Sequence, residues 1–147
     1  RLDGHFTASA WIVSADGQRA LLTHHRKLNK WVQLGGHADG NPDLAVEALR
    51  EATEESGLGG LVLESDIVLD IDDHAIPARG AEPEHTHWDV RFVVRPTGPE
   101  AFTKNEESLD LAWVEVASIV GNPTYEESVQ RLARKWLQQQ ATEAAAA

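Results

Sequence analysis

The chain has 147 residues, 24 of them acidic and 13 basic, for a net charge of -11, which suits one compact domain with a core of its own. It has no cysteine, so disulfides, thiolate metal sites and cysteine nucleophiles are excluded. The acidity opposes an extended nucleic-acid footprint, which needs clustered Lys and Arg, and no apolar run approaches the roughly 20 residues of a membrane span. A small phosphorylated ligand remains compatible with this charge if cations offset it locally. Residues 1–5 lack the basic-then-apolar pattern of a secretory leader, so the expected compartment is the cytoplasm.

Residues 6–13 and 20–25 are apolar segments flanking Asp16-Gly17, a dipeptide suited to the positive backbone angles of a tight turn, which predicts a β-hairpin. An apolar strand end at residues 31–34 then runs into the glycine-rich loop Gly35-Gly36-His37-Ala38-Asp39-Gly40. A helix is predicted over 42–56, with Asn41 as cap, Pro42 in the first helical position, Asp43 against the N-terminal dipole and Gly57 as the left-handed stop. Residues 61–71, 85–94 and 111–116 read as strands, the first two separated by a loop holding Pro77, Gly80 and Pro83. Thr124 and Glu127 have capping-box spacing ahead of Val129, Leu132, Ala133, Trp136 and Leu137, so an amphipathic helix should pack on the sheet. The Ala-rich end, from about residue 141, has little to bury and is expected to fray. The pattern is that of one mixed α/β domain.

The first helix carries the chemistry. At 100° per residue, Glu47, Glu51, Glu54 and Glu55 fall within an arc of roughly 100°, beside an apolar side formed by Leu44, Ala45, Ala48, Leu49 and Ala52. Like charges at these spacings repel, and Arg50 is the one basic residue on the helix. A hard divalent cation, Mg²⁺ or Mn²⁺, would neutralise such an oxygen-only cluster. A solvated acidic face is the other reading of the same stripe.

Two further groups stand out. Strand alternation puts His85, His87, Asp89 and Arg91 on one face and Thr86, Trp88, Val90 and Phe92 on the other. The polar face can line a cleft, with Arg91, His87 and His85 donating to substrate, can join His74 in a zinc site, or can be a hydrogen-bonded strand surface. His24, His25, Arg26, Lys27 and Lys30 form a local basic cluster able to attract phosphate, or simply a solvated hairpin end. Trp31 suits either base stacking or the core.

Gly36 through Leu58, with Arg50-Glu51-Ala52-Thr53-Glu54-Glu55-Ser56-Gly57-Leu58 as its second half, resembles the Nudix box. Every fixed position matches except one, where Pro42, followed by Asp43, stands for the family's first glutamate. Leu21-Leu22, Trp31 and Leu34-Gly35-Gly36 resemble the segment that leads into the box, and Glu106-Glu107 ahead of Trp113-Val114 resembles the family's later acidic loop. The resemblance implies the Nudix fold, an α/β/α sandwich with a mixed sheet. It also implies Mg²⁺-dependent hydrolysis of a diphosphate linkage in a nucleoside diphosphate linked to X. On this basis Glu51 and Glu55 are expected to bind metal, with Glu54 sharing that role or activating water, and the Gly36 carbonyl is a further ligand. Arg50 would orient the glutamates, and Glu107, or Glu106, would supply a base or ligand from outside the helix. The expected partner is a small phosphorylated nucleotide-like substrate, and homodimerisation is left open. Pro42 also admits a second reading, a Nudix-like module that binds a nucleotide without turnover.

Overall fold

The computed structural model describes residues 4–26, 28–35, 43–81, 83–102 and 108–146, with the backbone alone at positions 5, 66, 67, 74, 76, 108 and 109. Strands β1 (Gly4–Val13) and β2 (Arg19–His25) form the expected hairpin, pairing Ile12 with Leu21 and Val13 with Ala20. Gly17 takes φ +74° in its turn. The Asp16 carboxylate there accepts from the Ser14 hydroxyl and the Gln18 N–H, which holds it below the usual carboxylate range.

Strands β3 (Lys30–Val32), β4 (Leu34–Gly35), β5 (Leu61–Ile76), β6 (His85–Pro96) and β7 (Ser108–Glu115) complete a sheet of seven strands among the described residues. Its path is β3-β2-β1-β6-β5, with β4 beside β1 and β7 beside β2. The β1–β6 pair is parallel and the other pairs are antiparallel, so the sheet is mixed. β5 extends through Asp72-Asp73-His74, which the sequence pattern leaves in a loop. Its register with β6 sets Asp70 against Arg91 and Asp72 against Asp89, and these charged residues find partners that only the folded chain supplies.

Alternation along β1 divides the core in two. Ala8, Ala10 and Ile12 pack with Ala45, Ala48 and Ala52 of helix α1 (Leu44–Ser56), whereas Trp11 and Val13 pack with Val129, Leu132, Ala133 and Trp136 of helix α2 (Glu127–Ala146). The period of two in a strand makes one segment serve both layers, and the result is the expected α/β/α sandwich. Trp136 is fully buried, its indole N–H donating to the Gly17 carbonyl at 2.8 Å, and burial of a side chain of this size contributes about 2–3 kcal/mol.

Both helix starts differ from the sequence expectation. α1 begins at Leu44 and is capped by Asp43, whose side chain accepts from the Val46 N–H at 3.2 Å; Asn41 and Pro42 lie outside the described residues. An aspartate carboxylate placed three residues ahead of an orphan N–H satisfies it directly. At the other end Gly57 adopts φ 72° and donates to the Thr53 carbonyl, as expected. α2 begins at Glu127, because Asn122 accepts from the Thr124 N–H in a turn and the Glu126 carbonyl receives the first helical N–H groups. The Thr124–Glu127 spacing is therefore not a capping box. The Ala-rich end is helical through Ala146 with its side chains exposed, in keeping with alanine's helix propensity. Among the described residues no helix is long and apolar enough to cross a membrane.

Candidate active site

The acidic stripe of α1 is organised by one guanidinium. Arg50 donates to both Glu54 oxygens at 3.0 Å, to Glu51 at 3.1 Å and to Glu47 in a close pair. The hydrogen bond to Glu47 raises the Arg50 pKa above its ordinary value. Glu47 and Glu51 are buried, while the Glu54 side chain is 60% exposed. A planar fork of five donors can hold several carboxylates at once.

Glu55 is held from a different direction: its Oε1 accepts the Gly35 backbone N–H at 3.0 Å. Gly35 adopts φ +99°, and a Cβ at that position would stand 2.8 Å from the Ala8 carbonyl oxygen and 2.8 Å from Ser9 Cα. Only glycine fits this approach of β4 to β1, and the approach aims the N–H at Glu55.

Gly35 also lines a cavity of about 530 Å³ on the α2 side of the sheet. Thr7, Ser9, Gln33, Asp89 and Arg91 line it with polar groups, Val32 and Leu28 add apolar surface, and Glu126 and Ser128 belong to its wall beside the start of α2. Asp89 accepts from Thr7 Oγ1 at 3.0 Å, from Ser9 Oγ at 2.7 and 2.8 Å, and from Arg91 Nε at 3.0 Å.

Of the cleft residues expected from the histidine strand, His87 and Arg91 line this cavity and His85 does not; the His85 Nδ1 lies 3.1 Å from the Pro83 carbonyl oxygen. Arg91 is 3% exposed, and its donors go to Asp89, to Asp70 at 3.2 Å, and to the carbonyl and hydroxyl of Ser128 at 3.0 and 3.2 Å. It is thus a cross-link between β5, β6 and α2, and its guanidinium is already occupied. Asp70 receives Arg131 and Lys135 as well. Burial alone would raise the Asp70 carboxyl, but the hydrogen bonds from Arg131 and Lys135 outweigh it and hold the group at about 2.

Lys27, Gly36, Glu106 and Glu107 lie outside the described residues, as does the side chain of His74. Trp31 packs against the core on the α2 side, and its ring meets that of His24 at 5.2 Å. Among the described residues no three His, Asp or Glu side chains are already placed to hold one ion. Glu51 and Glu55 offer hard oxygen donors one turn apart on one helix face, a chemistry that fits a hard divalent cation. The sequence reading missed Thr7, Ser9, Gln33 and Asp70. A signal for the first two existed, since polar residues at alternate positions of an apolar strand mark a polar strip on one face.

Residues 4–137 match the family described as the NUDIX domain. The chain is 32% identical over 141 residues to "Putative 8-oxo-dGTP diphosphatase 3" of Mycobacterium tuberculosis, covering 88% of this chain and 62% of that protein, so it spans about three-fifths of the relative's length. The fold is similar to a C. elegans Ap4A hydrolase binary complex, with TM-score 0.71 and 20% identity over 93% of this chain and 98% of that one. It is also similar to a hydrolase of the NUDIX family from Clostridium perfringens, with TM-score 0.69 and 25% identity over 94% and 99% of the two chains. A glutamate helix gathered by its own arginine, set on a mixed sheet between two helices and matched over most of its length, leads to one conclusion: the chain belongs to the Nudix family.

Proposed function

We propose that this domain hydrolyses a diphosphate linkage in a nucleoside-diphosphate-type compound, with Mg²⁺ or Mn²⁺ as cofactor. The observation that carries the reading is the Gly35–Glu55 hydrogen bond, because it joins the glutamate helix to the wall of a cavity of about 530 Å³, large enough for a small organic ligand. The phosphates would lie toward the glutamates and the remainder of the substrate in the cavity.

In this reading Glu51 and Glu55 would hold the metal, with the Gly36 carbonyl as a further donor. A bound divalent cation supplies charge neutralisation on the diphosphate oxygens and acidifies a water. Glu54 would take a proton from the attacking water, with Glu107 as the alternative base from outside the helix. Arg50 holds Glu47, Glu51 and Glu54 in place and so limits their repulsion as the site fills. The name of the mycobacterial relative supports including oxidised purine nucleoside triphosphates among the substrates, alongside dinucleoside polyphosphates and nucleotide sugars.

The test is release of phosphate or nucleoside monophosphate from a panel of diphosphate-linked nucleotides with Mg²⁺ or Mn²⁺, comparing the natural protein with Glu55→Gln. Metal-dependent turnover that collapses in the variant supports the hydrolase. Nucleotide binding with no turnover on any member of the panel overturns it and leaves a non-catalytic binding module, the outcome that Pro42 in the family's glutamate position would explain.

A further inference from the structure

The polar groups gathered around Asp89 on the cavity wall, which His25 and His87 also line, share one polarity. Asp89 is 8% exposed and draws in the hydroxyl protons of both Thr7 and Ser9. A hydroxyl has one proton, so what Thr7 and Ser9 retain for a ligand is lone pairs. Gln33 follows the same rule: its Nε2 faces Asp89 at 3.4 Å, and its Oε1 is shielded from water with no hydrogen-bond partner. A buried acceptor left without a partner is where a donor brought by a ligand gains most. Arg91, the one Lys or Arg among the described lining residues, spends four of its five N–H groups on Asp89, Asp70 and Ser128. Asp72, Asp89 and Glu126 add carboxylates to the wall.

We infer that Asp89 makes this an acceptor surface, and that through Thr7, Ser9 and Gln33 it selects substrates whose buried end presents adjacent N–H donors, as the N1–H and 2-amino edge of a guanine-type base does. Asp89 is a positioning residue: it acts by orienting the two hydroxyls and the amide. Thr7, Ser9 and Gln33 are the specificity-determining contacts. Uracil, with one N–H between two carbonyls, and hypoxanthine, without the 2-amino group, match the surface less well. A phosphate offers oxygens to the acceptors gathered around Asp89, and is directed away from them toward the glutamate helix. The inference rests on the proposed hydrolase only in taking the occupant to be a nucleotide.

The test is calorimetric binding of GMP, IMP, UMP and inorganic phosphate to the metal-free protein, which separates base recognition from turnover. GMP is expected to bind about tenfold or more tightly than IMP, the equivalent of one well-placed hydrogen bond, and inorganic phosphate is expected not to displace GMP from the cavity. Ser9→Ala and Gln33→Met should each shrink the GMP to IMP ratio toward one, and Asp89→Asn, whose amide donates, should abolish it. Because Asp89→Asn also deprives Arg91 of a partner, its melting curve is compared with that of Ser9→Ala, which leaves Arg91 untouched. Equal binding of GMP and IMP, no binding of any nucleotide at millimolar concentration, or an unchanged ratio in folded Ser9→Ala and Gln33→Met overturns the inference. Base selection without turnover would sink the hydrolase and leave the acceptor surface standing. Turnover with no base selection would do the reverse.

Discussion

The Gly35 N–H donates to Glu55 Oε1 at 3.0 Å across twenty positions of sequence, and this bond ties the glutamate helix to the strand that walls the cavity. The amide of Glu55→Gln keeps an oxygen for Gly35 and removes the negative charge. Its expected outcome is a melting temperature close to that of the natural protein, with Mg²⁺-dependent turnover lower by about a hundredfold or more, beyond the cost of losing an outer-shell partner. Parallel melts and initial-rate measurements check it.

Gly35→Ala perturbs the same junction through the backbone. A methyl group would stand 2.8 Å from the Ala8 oxygen and Ser9 Cα at φ +99°, and strain together with overpacking is expected to cost about 2–4 kcal/mol. Urea unfolding measures this directly. A variant as stable as the natural protein would show that β4 yields more easily than the geometry implies.

Arg50→Lys replaces a fork that reaches Glu47, Glu51 and Glu54 with a single ammonium. The helix should lose only about 0.2–0.5 kcal/mol per unrelieved glutamate pair, while turnover and apparent metal affinity fall by about 10- to 100-fold. A metal titration of the rate, set beside a thermal melt, separates the two effects.

Asp70 holds Arg91, Arg131 and Lys135 at the junction of β5, β6 and α2. Its folded pKa, about 2, lies below the unfolded value near 3.9. Its contribution to stability is therefore fully present above about pH 4 and is lost as pH falls through about 2. Asp70→Asn, which removes a buried carboxylate from three cations while Arg91 keeps Asp89 and Arg131 keeps Asp72, is expected to destabilise by about 2–3 kcal/mol at neutral pH. It should also flatten the acid limb of the stability profile between pH 4 and 2, as followed by denaturant unfolding at a series of pH values.

The glutamate stripe and its arginine were legible before any coordinates because helical periodicity converts spacing into direction. Glu47, Arg50, Glu51 and Glu54 are near neighbours on any helix, whatever it packs against. The same holds for the Gly57 stop and for the buried face of Val129, Leu132, Ala133 and Trp136. The helix starts were less legible, since Asn41, Pro42 and Asp43 are all plausible at an N-terminus, and the choice of Asp43 depended on which side chain met the Val46 N–H.

What the sequence by itself determined is the local chemistry: an acidic helix face, two amphipathic helices, strands of alternating character and a long motif that names the family. What only the tertiary structure decided is which distant groups meet. Arg91 looked like a free donor on a polar strand, yet Asp70 from β5 and Ser128 from α2 occupy it. Thr7 and Ser9 looked like ordinary strand residues until the parallel pairing of β1 with β6 set Asp89 beside them. The physical reason is that a hydrogen bond depends on distance and direction in space, and for residues eighty positions apart those are set by sheet register and helix docking, which no local pattern encodes.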